Sequence, residues 1–168
     1  MFQKMSLILT ICLVLLNSCA KEEVKTQSQV IGEWKLASYS IGTAFDVDKD
    51  GTSHINLLNE MDCVNSEILK FETTGILSSN EIYNPTIEIS KSEIDNTYDF
   101  SIECQEGVIS FATSFSQIDV DTFQFNDKEF TIINNSFNIV LVDEVKIYNE
   151  DFTAILETRD LVLTYSKL

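Results

Sequence analysis

Basic side chains are scarce in this 168-residue chain, which carries 11 Lys and Arg against 27 Asp and Glu for a formal net charge of −16. Nucleic-acid binding rests on neutralising phosphates with Lys and Arg, so such a surface repels that class of partner. Histidine is scarcer still. His54 is the only one, and no Gly-x-Ser-x-Gly surrounds any serine, so a Ser-His-Asp arrangement has no local support. Five glycines without a Gly-rich run leave no phosphate-binding loop. Among so many acids nothing nominates a carboxylate pair for glycoside hydrolysis. The expectation is a protein that is not an enzyme. Proline is nearly absent too: Pro85 alone interrupts the body of the chain, as suits a sheet with few edges to protect.

The N-terminus carries Lys4, then a mostly apolar run from Met5 to Leu16, then Asn17 and Ser18. The run is shorter than the roughly 20 apolar residues that span a bilayer. A basic start, a short apolar stretch and a small residue before the cut form the pattern of a secretory signal. Leu16-Asn17-Ser18-Cys19 resembles the lipobox of bacterial lipoproteins, in which the cysteine becomes the acylated N-terminal residue. Asn17 departs from the small residue usual at its position, and an ordinary signal peptide with a chance cysteine is the alternative. The resemblance implies a signal peptide over 1–18, lipidation such as palmitate at Cys19, and a lipidated tether over 19–30. Attachment would then come from acyl chains, because an acidic surface is a poor partner for anionic headgroups. Lys21-Glu22-Glu23 resembles the surface-export signal of Bacteroidetes lipoproteins, with a solvated linker as the alternative. That implies the cell envelope, an outer-membrane anchor and an outward-facing domain.

Four cysteines sort by position. Cys12 leaves with the signal and Cys19 takes the lipid, so Cys63 and Cys104 remain as an even pair in an exported, disulfide-permissive setting. A Cys63–Cys104 disulfide is expected, worth about 3–4 kcal/mol in the chain-entropy picture. Two buried thiols are the alternative. With Cys19 acylated and Cys63 paired with Cys104, zinc lacks ligands.

From Ile31 onward the chain reads as strands. Tyr98, Phe100, Ile102 and Cys104 alternate with polar residues at period two, and Ile109, Phe111 and Phe115 continue the rhythm. Further strands are expected at Val120–Phe125, Glu129–Ile133, Phe137–Val142, Asp151–Glu157 and Leu161–Tyr165. Asn126-Asp127-Lys128, Asn134-Asn135 and Thr73-Thr74-Gly75 read as hairpin turns, the last between Glu67–Glu72 and Ile76–Glu81. Only Ser53–Met61 breaks the pattern, with Ile55, Leu58 and Met61 three apart, which suggests one short helix in the first long loop. Many short strands joined by hairpins indicate an all-β antiparallel barrel or sandwich.

The first strand opens Ile31-Gly32-Glu33-Trp34, and Trp34 is the only tryptophan. Gly-x-Trp at that place resembles the lipocalin signature, in which the Trp plugs the closed end of the barrel. In that family an Arg near the last strand covers the indole, and Arg159 is the only arginine. With Leu69-Lys70-Phe71, Thr74-Gly75 and Leu161-Val162-Leu163-Thr164-Tyr165, the segment 31–168 resembles the lipocalin-like lipoproteins of Bacteroidetes. The resemblance implies an up-and-down lipocalin-like β-barrel with Gly32, Trp34 and Arg159 at its closed end. It also implies ligand binding: a small apolar ligand at the open end. A surface-interaction or envelope-structural protein with a filled barrel is the second reading, because phenylalanines such as Phe71, Phe100, Phe111 and Phe123 on inward faces line cores and pockets alike.

Asp46-Val47-Asp48-Lys49-Asp50-Gly51-Thr52 matches the front half of an EF-hand calcium loop. Asp46, Asp48 and Asp50 could give three carboxylates and Thr52 a carbonyl, making calcium the one cofactor the sequence suggests. The twelfth position is Leu57 rather than Glu, and Glu60 or Asp62 would have to complete the shell. A solvated turn rich in Asp and Gly is the alternative.

Alkylation of the unfolded protein with and without reductant checks the disulfide. The expected outcome is labelling of Cys63 and Cys104 only after reduction; labelling without reductant would contradict the pairing.

Overall fold

The structure is a computed structural model and describes residues 28–105, 107 and 109–168. The expected signal peptide, Cys19 and the export-like Lys21-Glu22-Glu23 lie outside the described residues. Among the described residues eleven strands carry the fold: β1 Gly32–Ser40, β2 Ile68–Phe71, β3 Ile76–Ser79, β4 Thr86–Lys91, β5 Tyr98–Glu103, β6 Phe111–Ser114, β7 Ser116–Gln117, β8 Thr122–Phe125, β9 Lys128–Thr131, β10 Ser136–Asn149 and β11 Ile155–Lys167. Eight form one curled sheet in the order β5-β4-β10-β11-β1-β2-β3-β6, a half-barrel whose edges are β5 and β6. β7, β8 and β9 make a small second sheet.

The protein is thus all-β, and two expectations need correcting. First, the order is not a simple up-and-down meander. The β4–β5 hairpin leaves the sequence of neighbours, β4 lies parallel to β10, and β3 pairs with β6 instead. Residues 80–85 make that departure, held by Ile82 N–H to the Ile109 carbonyl at 3.0 Å and by Tyr83 N–H to Glu67 Oε2 at 2.9 Å. Second, the expected helix over Ser53–Met61 is one 3-10 turn, Leu57–Asn59. Asn56 explains why. Its side chain accepts from Leu58 N–H and Tyr39 N–H and donates to the Ala37 carbonyl, which fixes it against the bulge of β1 in an extended conformation. One turn suffices to bury Leu57 and Met61. Residues just before β1 join the packing as well. Val30 is fully buried, its carbonyl accepts the Trp34 indole N–H at 2.8 Å, and Gln29 N–H reaches the Val120 carbonyl.

Two long strands replace the separate segments expected at Phe137–Val142, Asp151–Glu157 and Leu161–Tyr165. β10 runs through a bulge between Leu141 and Val145, with Asp143 at φ +54°. The Asp143 N–H binds Asp160 and its carboxylate accepts from Thr158, so a polar stretch that resembles a turn continues the strand. The hairpin turns are as expected. Asn126-Asp127 and Asn134-Asn135 both have positive φ, the conformation of two-residue hairpins, and Gly75 at +82° closes the β2–β3 turn.

The interior divides into two cores. The first gathers Trp34, Phe71, Phe115, Phe123, Phe130, Phe137 and Tyr165; the second gathers Tyr39, Phe45, Leu57, Ile89, Val145, Ile147 and Leu161. Phe71 is the hub of the first, meeting Trp34, Phe115, Phe123 and Phe137 edge-on with centroids 5.0–6.5 Å apart. Phe71→Ala should cost about 3–5 kcal/mol of unfolding free energy, measured by urea titration; a loss below about 1 kcal/mol would contradict the packing.

Candidate functional site

Trp34 is sealed at one end of the half-barrel. It packs edge-on against Phe137 at 5.1 Å, and a cation does cover it, but that cation is Lys167. Trp34 and Lys167 are directly paired across β1 and β11, and the Lys167 Nζ stands 5.4 Å from the indole centroid while donating to the Gln29 carbonyl. Gly32 makes the passage possible. At φ +132° any Cβ there would stand 3.3 Å from the Lys167 Cε. The expected stacking of Arg159 on Trp34 is not what the structure shows. Arg159 lies far along β11, over the Phe45 ring at 5.5 Å, with bonds to Glu157 and Thr43. The β10–β11 hairpin is longer than the sequence suggested, which carries Arg159 away from the indole.

Cys63 and Cys104 form the expected disulfide, with Cα atoms 5.3 Å apart. It ties the segment before β2 to the end of β5. A cleft of about 480 Å³ adjoins it, lined by Tyr83, Pro85 and Ile109 among others.

Asp46, Asp48 and Asp50 converge, offering carboxylate oxygens within 4.8 Å of one another. Asp46 Oδ2 accepts the Gly51 N–H at 3.0 Å, Asp48 accepts Asp50 N–H, and Asp50 accepts Thr52 N–H. Asp46 Oδ1 is buried without a partner. Glu60 does not complete this group: its buried carboxylate binds the Val47 N–H and the His54 ring instead. Burial opposes the ionised form of Glu60, yet the His54 and Val47 hydrogen bonds hold its carboxyl below the usual range. Asp62 is exposed. The loop docks on β5 through Phe45, whose ring meets Tyr98 and Phe100, and through an exposed Lys49–Asp99 ion pair at 3.1 Å.

A second, larger cleft lies on the second core. β4 pairs with β10 only from Ile89 to Lys91. Before that point the strands splay and leave a cleft of about 660 Å³, lined by Ile87, Leu141, Val145, Leu161 and Leu163. Tyr39 and Tyr83 meet edge-on at 5.8 Å within it, and the Tyr83 hydroxyl is buried without a hydrogen-bond partner. Burial, with Tyr83 and Glu144 nearby, pushes the Tyr39 phenol up to about 12. Between the two cores Glu67 accepts from Tyr165 Oη at 2.8 Å and from the Tyr83 amide; burial raises its pKa.

Sequence reasoning missed Lys167 and the cleft residues. Pairing the first strand with the last would have set Lys167 opposite Trp34, whereas nothing local marks Tyr39, Tyr83 or Phe152 as neighbours. No family model, curated protein or solved structure matches this chain.

Replacing each cation in turn tests the closed end. Lys167→Met should shift Trp34 emission, while Arg159→Ala should leave it unchanged; the reverse pattern would contradict the geometry.

Proposed function

We propose that this chain is a lipocalin-like lipoprotein, anchored to the outer membrane through a lipid on Cys19, whose half-barrel is a binding module for a small apolar ligand. It acts by binding, not by catalysis. The observation that supports this reading is the 660 Å³ cleft over the second core, within the roughly 300–1,000 Å³ of small-molecule sites, with an aliphatic and aromatic wall beside polar Asn84, Glu88, Glu144 and Lys146. The position fits: Trp34 and its aromatic neighbours fill one end, and the cleft opens where β4 leaves β10. The acidic chain leaves acyl anchoring as the route to a membrane and disfavours nucleic acid.

A second reading has its own observation. The unpartnered, buried Asp46 Oδ1 beside Asp48 and Asp50 fits a calcium ion held by the three carboxylates and the Thr52 carbonyl. Calcium would then stiffen the loop that packs on β5, as in a surface-interaction or envelope-structural protein with function on its outer loops. The shell would need water, since Leu57 stands where a calcium loop has Glu and Glu60 is engaged.

Native mass spectrometry of the full chain, purified without chelator from exporting cells, separates the two. An adduct of a few hundred daltons that leaves on denaturation is the expected result. Calcium without an organic adduct would favour the second reading, and a bare mass would remove the support for both.

A further inference from the structure

Phe152 sits at φ +55°, a left-handed conformation that a bulky side chain rarely adopts. Seven other non-glycine residues have positive φ, and six of them are Asn or Asp, the residues that tolerate it. The turn between β10 and β11 imposes the geometry. The Asn149 carbonyl accepts the Phe152 N–H at 2.9 Å, and the Asn149 side-chain oxygen accepts the amides of Thr153 and Ala154 at 2.8 and 3.0 Å. Burial does not repay the strain, because Phe152 remains 47% exposed. Its ring lies 5.6 Å from that of Tyr148, and both rings line the larger cleft. Strained residues cluster at ligand clamps and active sites, so this one points to the cleft that it lines.

The cleft below has a defined chemistry. Leu141, Val145, Leu161 and Leu163 give it an aliphatic wall, Tyr39 and Tyr83 stand edge-on inside it, and Asn84 and the charged residues add polar surface. The Tyr83 hydroxyl is covered and lacks a partner, a state that costs free energy until a polar group reaches it. Glu88, Glu144 and Lys146 in its lining are all exposed. Two carboxylates on a chain of net charge −16 repel an anion, and Lys146 offsets what a cation would gain.

We propose that this cleft takes a flat, uncharged apolar molecule with one hydrogen-bonding group. Tyr148 and Phe152 close over its face, its body lies along the aliphatic wall, and its polar group parts Tyr39 from Tyr83 to partner the Tyr83 hydroxyl. This inference rests on the binding-module reading and names the ligand class.

Two probes with one framework test it: N-phenyl-1-naphthylamine, which is neutral, and 8-anilinonaphthalene-1-sulfonate, which adds a sulfonate. Fluorescence titration of the full chain should show saturable one-to-one binding of the neutral probe and affinity for the sulfonate at least about tenfold weaker. Tyr83→Phe should weaken the neutral probe about threefold to tenfold. Phe152→Gly should weaken it as well while leaving the melting temperature unchanged or higher, because glycine accepts the left-handed turn. Glu88→Lys with Glu144→Lys should narrow the gap between the probes. Equal affinity of the two probes for the unaltered chain overturns the charge preference. Unchanged affinity in both Tyr83→Phe and Phe152→Gly overturns the placement. If neither probe binds, this inference falls, whereas the broader binding reading falls only if the purified chain also carries no small molecule by mass spectrometry.

Discussion

The pairing of β1 with β11 is the constraint on which the rest of the structure depends. It joins the start of the described domain to its end, Trp34 to Lys167 and Leu36 to Tyr165. β10 extends the same rows on the other side of β11, so Leu36, Tyr165 and Phe137 lie across three strands, and the Phe137 and Tyr165 rings stack at 5.2 Å. Phe71 and Phe123 then close on Trp34 and Phe137 from the remaining strands. Without the first and last strands together, neither the indole nor its covering lysine has a place. Aromatic contacts of this type add about 0.5–1.5 kcal/mol each beyond simple burial, so a connected set of them makes this end rigid.

The other end is built differently. β4 and β5 reach the sheet through a short parallel junction with β10, and a disulfide supplies what the missing ladder does not. Phe45 fills the space under β5 and brings the aspartate loop with it. The buried polar groups mark the boundary between the two halves: Glu67 holds Tyr165 on one side and the Tyr83 backbone on the other. A rigid aromatic end thus stands next to a splayed cleft, the division on which the proposed binding role rests. Rigid elements position the cleft walls, and the less paired strands leave it room.

Local chemistry was legible in the sequence, and long-range chemistry was not. Asn126-Asp127 and Asn134-Asn135 could be read as hairpin turns because their preference for positive φ is a property of those residues alone. Cys63 and Cys104 were readable as a pair by elimination. β4 went unread because Pro85 immediately before it looked like an interruption. β10 was cut short because its bulge at Asp143 shifts the alternation and presents polar residues. Ser53–Met61 shows helical spacing, but the Asn56 side chain ties the segment to β1, a contact across 17 residues that no periodicity contains. Arg159 was set over Trp34 by resemblance, and the register of a hairpin longer than expected set it over Phe45 instead. The cleft was out of reach for the same reason, since its walls come from β1, β4 and the β10–β11 hairpin, which lie far apart in the chain.

Amide hydrogen exchange on the full chain tests most directly the claim of one sealed end and one loosely joined end. The account predicts the slowest exchange at amides of β1, β10 and β11 around Leu36, Phe137 and Tyr165, with opening close to global unfolding. It predicts that Ile87, Ile89 and the β5 amides open at lower free energy, as a unit, before the aromatic end does. Protection of β4 equal to that of β1 and β11, or earlier opening around Trp34, would contradict it.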